Sequence, residues 1–189
     1  MIIARQKRKE NISEYILYMW QVEDIIRALE LDSVKIHEYV TQGYDLPAEQ
    51  QEEVYQWYLD LAEQMKAERV TTRGHISDLR QLMTQLQETS DQLLKMPSQT
   101  LYSSVYFQTL PSILQLRELG GDEEISEIET CFVGIYGFLT LKARGEEVSE
   151  KTHEAIKQFS TFLAMLADRF REIEEGNIKL TPIEEQDDE

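Results

Sequence analysis

The chain has 189 residues, and its 36 Asp and Glu against 19 Lys and Arg give a formal net charge of -17. Such a charge repels the phosphate backbone, which argues against nucleic-acid binding by the whole surface. With 8 Gly, 4 Pro and a single cysteine, Cys131, the composition argues against an all-β sandwich. One cysteine also excludes an intramolecular disulfide framework and a cysteine-cluster metal site.

The apolar residues recur with a period close to 3.6 along nearly the whole chain, which predicts an all-α fold without a sheet. We expect a single-domain bundle of six to seven helices over residues 1–180, which begins with a basic segment at 5–9. Capping residues, glycines and prolines set the boundaries, with Asp122 as the predicted N-cap of the sixth helix. The predicted helices span residues 6–30, 33–42, 47–70, 76–96, 99–119, 123–144 and 150–175.

The sequence makes specific predictions about helix breaks at two places. A strict seven-residue apolar step runs from Tyr58 to Leu93 across Gly74, so residues 47–96 form either one long helix or two helices broken near Gly74. We favour the break, because long helices without caps are uncommon in globular domains. Pro111 predicts a kink or break near Leu110 in the fifth helix.

The first helix carries apolar residues around most of its circumference, so we expect it to be largely buried or to form part of an oligomer interface. Glu23 falls in the middle of this apolar arc, where an unpaired carboxylate would cost several kcal/mol. By spacing its nearest partner is Arg27, one turn on, and a partly exposed Glu23–Arg27 pair is the favoured interpretation. The alternative is a pocket or interface at this helix, with the candidate residues Tyr15, Met19, Trp20, Glu23 and Arg27.

The sixth helix contains Gly134 and Gly137 in its interior. Each glycine costs a helix about 1 kcal/mol relative to alanine, so two of them close together need a structural reason. Close approach of a neighbouring helix is the favoured reason, and the edge of a cavity or ligand site is the alternative.

The usual catalytic and metal-binding patterns are not found. The spacing Glu150–His153 occurs once, whereas a di-iron bundle needs it on two helices, and neither His37 nor His75 has a second histidine four residues on. Cys131 lies among apolar residues without a neighbouring base, which predicts an inert core thiol. We therefore predict no catalytic residues, no metal site and no cofactor, and lean towards a protein that is not an enzyme.

The two ends carry opposite charges. Residues 5–9 are basic, and residues 181–189 are predicted to be a disordered acidic tail. The first residues lack the apolar core of a secretory signal, and no apolar run approaches the ~20 residues of a membrane span, so a cytoplasmic location is expected.

The opening of the chain resembles an uncharacterised family of Gram-negative, Bacteroides-like bacteria that is known only as a domain of unknown function. The best match is at residues 1–24, which read MIIARQKRKENISEYILYMWQVED, and the likeness continues through Gly74-His75 and Pro111. The resemblance implies a single all-helical domain and brings no activity, substrate or catalytic residue.

Two functions remain open at this point. The leading hypothesis is a non-enzymatic cytoplasmic bundle that acts through a protein partner or through self-association, since its first helix has more apolar surface than a small bundle covers. The alternative is a small-molecule-binding protein or enzyme with an inter-helix pocket near Glu23, Tyr15 and Trp20, and with Gly134 and Gly137 as further candidates. The sequence leaves the ligand unknown, and docking of the segment at 5–9 on RNA or an anionic membrane is a weaker third hypothesis.

Overall fold

The fold is all-α, as the periodicity predicts. The computed structural model describes residues 2–120 and 125–180, of which 81% are helical, and none of these residues lies in a strand. Eight α-helices occur in this part of the chain, which is more than the six to seven predicted. They are α1 (Ile2–Glu10), α2 (Ile12–Ala28), α3 (Ser33–Gly43), α4 (Ala48–Ala67), α5 (Ser77–Lys95), α6 (Thr100–Gly120), α7 (Glu127–Ala143) and α8 (Glu150–Glu174).

The additional helix results from a division of the predicted first helix at Asn11. Asn11 is extended, and its side-chain oxygen accepts hydrogen bonds from the N–H groups of Ser13 and Glu14 at 2.9 and 3.1 Å. This is the geometry of an N-cap, which satisfies the first free donors of α2. The prediction of one helix over 6–30 is therefore wrong, because the apolar period continues across the cap.

The predicted break near Gly74 is confirmed. α4 ends at Ala67 and α5 begins at Ser77, so residues 68–76 form a connecting turn. Within this turn Arg69 and Gly74 have positive φ angles of 61° and 80°. Backbone of this kind cannot continue a right-handed helix.

Of the kink or break predicted near Leu110, the break is wrong, since α6 runs through Pro111. Pro111 is exposed on the helix surface. The carbonyl group of Phe107, which loses its helical donor to the proline ring, therefore lies on the side that water reaches.

α7 begins later than predicted. Ser126 is its N-cap and accepts a hydrogen bond from the N–H of Glu129 at 3.1 Å. The predicted cap Asp122 lies outside the described residues, as does the predicted acidic tail at 181–189.

The chain divides into two compact units, residues 1–82 and 83–189, with the division inside α5. In the first unit α1 packs on α2, α3 packs on α4, and α2 also contacts α4. Its largest fully buried side chains are Ile16, Ile26, Ile36, Tyr58, Met65 and Leu79. The single domain over residues 1–180 stays a prediction.

In the second unit α8 packs against both α6 and α7, and α6 also contacts α7. The buried hydroxyl of Tyr102 donates a hydrogen bond to Ser90 at 2.7 Å, which joins α6 to α5. The core is rich in aromatic residues, with Tyr102, Phe132, Phe159 and Phe162 fully buried. No helix in residues 2–120 and 125–180 is long and apolar enough to cross a membrane.

Cys131 lies in this aromatic core without exposed surface. Burial raises the pKa of its thiol, and the nearby charge of Glu127 acts in the same direction. The reactive thiolate is therefore scarce at neutral pH, and a reagent cannot reach it. We expect a thiol reagent to label the folded protein slowly and the protein in denaturant rapidly, as measured by mass spectrometry. Rapid labelling of the folded protein would contradict this assignment.

Candidate functional site

The predicted pair between Glu23 and Arg27 does not form. Glu23 has no exposed surface, and its carboxyl group accepts a hydrogen bond from the backbone N–H of Ile76 at 2.9 Å. Its other oxygen lies 2.5 Å from Nδ1 of His75. The buried carboxyl thus finds its partners in the turn at residues 68–76, and the prediction of a half-exposed local pair is wrong.

Arg27 binds the same turn by a different route. Its guanidinium donates to the carbonyl oxygens of Val70 and Gly74, and it forms an ion pair with Asp24 at 2.8 Å. These two carbonyls belong to the stretch with positive φ angles, where the backbone lacks helical partners. Arg27 therefore stabilises the turn that Gly74 makes possible.

Trp20 completes the attachment of the turn to α2. Its ring stacks on the ring of His75, with centroids 4.3 Å apart and planes inclined by 9°. We name the side chains of Trp20, Glu23, Arg27 and His75 the α2 clamp. Because three residues of one helix fix a turn about 50 positions away in sequence, the clamp explains why α2 carries polar groups within its apolar arc.

The α2 clamp also supplies a hydrogen-bond acceptor at the start of α5. The N–H groups of Ile76 and Ser77 are among the free donors at this helix end. Glu23 accepts from Ile76, and Glu68 at the end of α4 accepts from the N–H of Ser77 at 2.5 Å and from its hydroxyl at 2.8 Å. Two carboxyl groups from other helices thus cap α5, where negative charge is favourable.

The other candidate residues of α2 contribute differently. Met19 is buried in the first unit, whereas Tyr15 is half-buried. Burial raises the pKa of the Tyr15 phenol, and the charge of Arg8 opposes this effect. The space beside Trp20 and Glu23 is occupied by His75 and the backbone of Ile76, so the structure offers a structural role for this cluster, and the pocket proposed there stays a prediction.

The basic segment at residues 5–9 lies in α1. Lys7 pairs with Glu14 at 3.0 Å, and Arg5 lies in a concavity whose acidic residues come from α4. The residues that line this concavity are Arg5, Glu49, Glu52, Glu53, Gln56, Trp57 and Asp60. This arrangement favours an intramolecular role for the positive charges of Arg5 and Lys7.

A groove of about 380 Å³ lies in the second unit, between α6, α7 and the first half of α8. Its volume falls within the usual range for small-molecule sites, about 300–1,000 Å³. Most of its lining is apolar, and Gly134 and Gly137 are both part of it. The lining residues are Ser112, Gln115, Leu116, Leu119, Val133, Gly134, Gly137, Phe138, Leu141, Lys151, Thr152, Ala155, Ile156 and Phe159.

The two glycines have different surroundings. A Cβ atom on Gly134 would lie 2.8 Å from Cε2 of Phe159 and 2.9 Å from Cδ2 of Leu116, whereas a Cβ on Gly137 would meet nothing within 4 Å. Gly134 therefore allows α6 and α8 to approach α7 closely, and Gly137 leaves open space in the groove. Close approach of neighbouring helices thus applies to Gly134, whereas both glycines lie at the edge of the groove.

Alanine substitutions test this difference. Gly137→Ala is expected to raise the free energy of unfolding by about 0.5–1 kcal/mol, because alanine favours helix and nothing obstructs it. Gly134→Ala is expected to be less stable than Gly137→Ala by about 1–3 kcal/mol, because the buried ring of Phe159 must move. Urea denaturation of both variants measures the difference, and equal stability would contradict the close packing at Gly134.

The chemical groups of the groove suit binding more than catalysis. Its polar residues are Ser112, Gln115, Lys151 and Thr152, and its lining contains no His, Cys, Asp or Glu. Ser112 donates a hydrogen bond to Gln158 at 2.8 Å, and the hydroxyl of Thr152 lies 2.9 Å from that of Ser149. Elsewhere in the described part of the chain, no cluster of three or more His, Cys, Asp or Glu side chains could hold a metal ion.

These features define an all-α protein with an apolar groove among its last three helices. The chain belongs to the family DUF4924, a domain of unknown function, whose model matches residues 1–177. The predicted resemblance to a domain of unknown function is thereby confirmed. No curated protein and no solved structure matches the chain.

Proposed function

We propose that this chain is a non-enzymatic binding protein whose ligand site is the groove between α6, α7 and α8. The observation that carries the proposal is the open space above Gly137, within a concave and mostly apolar surface. A glycine that lowers helix stability while leaving space unfilled is understandable if that space receives a ligand.

The lining supports binding without chemical conversion. The lining contains no His, Cys, Asp or Glu, and Lys151 is its one titratable side chain, so it lacks the acid–base pair or the nucleophile with a neighbouring base that such catalysis would require. Apolar side chains would supply the affinity, and the few polar groups at the margin would orient the ligand.

A ligand that binds only the folded protein raises its melting temperature. We expect 1-octanol, as an uncharged apolar probe, to raise the melting temperature of the wild type by a few degrees in a saturable manner. Gly137→Phe should abolish the shift, because its ring fills the groove, whereas Gly137→Ala at the same position should retain it. A shift that is absent from the wild type, or equal in all three proteins, would contradict the proposal.

A protein partner or a second copy of the chain is the second candidate for the same surface. The margin of the groove exposes Leu119 to 79% and Val133 to 45%, and Leu139 of α7 is also exposed. Exposed apolar residues beside a groove are typical of helix-in-groove recognition. Self-association predicts a molar mass that rises with concentration in analytical ultracentrifugation and a monomer for Leu119→Asp.

A further inference from the structure

The groove combines an apolar lining with a single cation. Lys151 is the one charged side chain among its lining residues. The whole chain has 36 acidic residues against 19 basic ones, whereas the groove is lined by one lysine and by no carboxylate. The charge of the groove is therefore opposite to the net charge of the chain. Glu150 and Glu154 lie on the same helix but do not line the groove.

Lys151 is available to a ligand. It is exposed, and it makes no ion pair or hydrogen bond within the described residues. It lies in the first turn of α8, where the positive end of the helix dipole adds to its charge. Among the other polar residues of the lining, the hydroxyls of Ser112 and Thr152 already have partners, and the side chain of Gln115 carries no charge.

The charged residue Lys151 lies at one end of the groove. Phe138 contacts His153, and Gly134 faces Phe159, so that α7 and α8 run antiparallel through the site. Lys151 and Thr152 consequently lie near Leu141, whereas Phe159 lies near Gly134 and Leu116. From Thr152 to Phe159 the helix rises by about 10 Å, which is about the length of an extended chain of eight carbons.

We propose that the groove binds a free medium-chain monocarboxylic acid. Its carboxylate pairs with the ammonium group of Lys151, and its unbranched chain extends over Gly137 towards Phe159. This proposal rests on the proposed function, since it names the ligand class of the same groove. The charge of Lys151 and the length of the groove carry it: the acid end meets the only lining cation, and the chain extends over a mostly apolar lining, where the hydroxyl of Ser112 already donates to Gln158.

Isothermal titration calorimetry compares octanoate, 1-octanol and octylamine as probes. We expect the wild type to bind octanoate about fivefold or more tightly than 1-octanol, and octylamine most weakly. Lys151→Gln should remove the preference for octanoate while it retains binding of 1-octanol. Lys157→Gln is the matched control, because Lys157 is an exposed lysine of α8 that does not line the groove.

Three kinds of result would overturn the proposal, and they are distinguishable. Equal affinity for octanoate and 1-octanol, or a preference that survives Lys151→Gln, would refute the carboxylate assignment while the groove remains a binding site. Failure of all three probes to bind the wild type would refute the proposed function as well. Gly137→Phe should lose binding of octanoate and 1-octanol together, and retention of either would place the ligand elsewhere.

Discussion

Trp20→Ala is expected to lower the free energy of unfolding by about 3–5 kcal/mol, the range for large-to-small changes in a protein core. Trp20 is only 4% exposed, and its ring stacks on His75. The substitution removes a large buried apolar surface. It also removes the ring that stacks on His75 and so holds the turn at residues 68–76. Urea denaturation followed by circular dichroism at 222 nm measures the loss.

The second tryptophan provides the control. Trp57 lies on α4 in the same unit, is half-buried, and contacts Tyr58 edge to face. Its replacement by alanine should cost less, about 1–2 kcal/mol, because less apolar area leaves the protein interior. If Trp20→Ala stayed within 1 kcal/mol of the wild type, the stacking and burial assigned to the α2 clamp would be wrong.

Glu23→Ala is expected to cost about 2–4 kcal/mol. The substitution leaves the buried N–H of Ile76 without its acceptor, removes the partner of His75, and opens a cavity on α2. It also removes one of the two carboxyl groups that cap α5. The loss should be visible both in the denaturation midpoint and as faster amide hydrogen exchange at Ile76.

Glu23→Gln is the matched variant, since it preserves the shape of the side chain. Its carbonyl oxygen can still accept from Ile76, and its amide can donate to Nδ1 of His75 when the ring proton is on Nε2. We expect a loss of about 1 kcal/mol, well below that of Glu23→Ala. Equal losses in the two variants would show that the site needs an acid and that hydrogen-bond geometry alone is insufficient.

Local sequence signals predict most of the helices. Asp32 caps α3 and Ser149 caps α8 through side-chain hydrogen bonds to N–H groups of their own helices, and both are residue types that favour this position. Such caps act within three residues, so the sequence displays them directly. The cap at Asn11 uses the same chemistry, and it was missed because the apolar period on both sides suggested one helix.

Local sequence signals do not identify the partner of Glu23. Its position in the apolar arc correctly indicates that it needs a donor, but spacing along the helix points to Arg27. The actual donors, His75 and Ile76, follow a turn more than 50 residues later, which packs on α2 only in the folded protein. No periodicity within either segment records that contact.

For the candidate groove, too, the sequence reveals one part and only the tertiary structure reveals the other. The sequence identifies Gly134 and Gly137 as costly residues that need a reason, because helix propensity is a property of each residue. Only the tertiary structure decides that Gly134 accommodates Phe159 and Leu116 whereas Gly137 faces open space.

The sequence by itself determined the helical class and most helix ends and favoured the break near Gly74, because propensity, capping and apolar period act over a few residues. The tertiary structure decided which polar groups meet inside the protein and where its apolar faces leave a groove. Those outcomes depend on how helices distant in sequence pack, and packing is set by the shapes of side chains that no single segment contains.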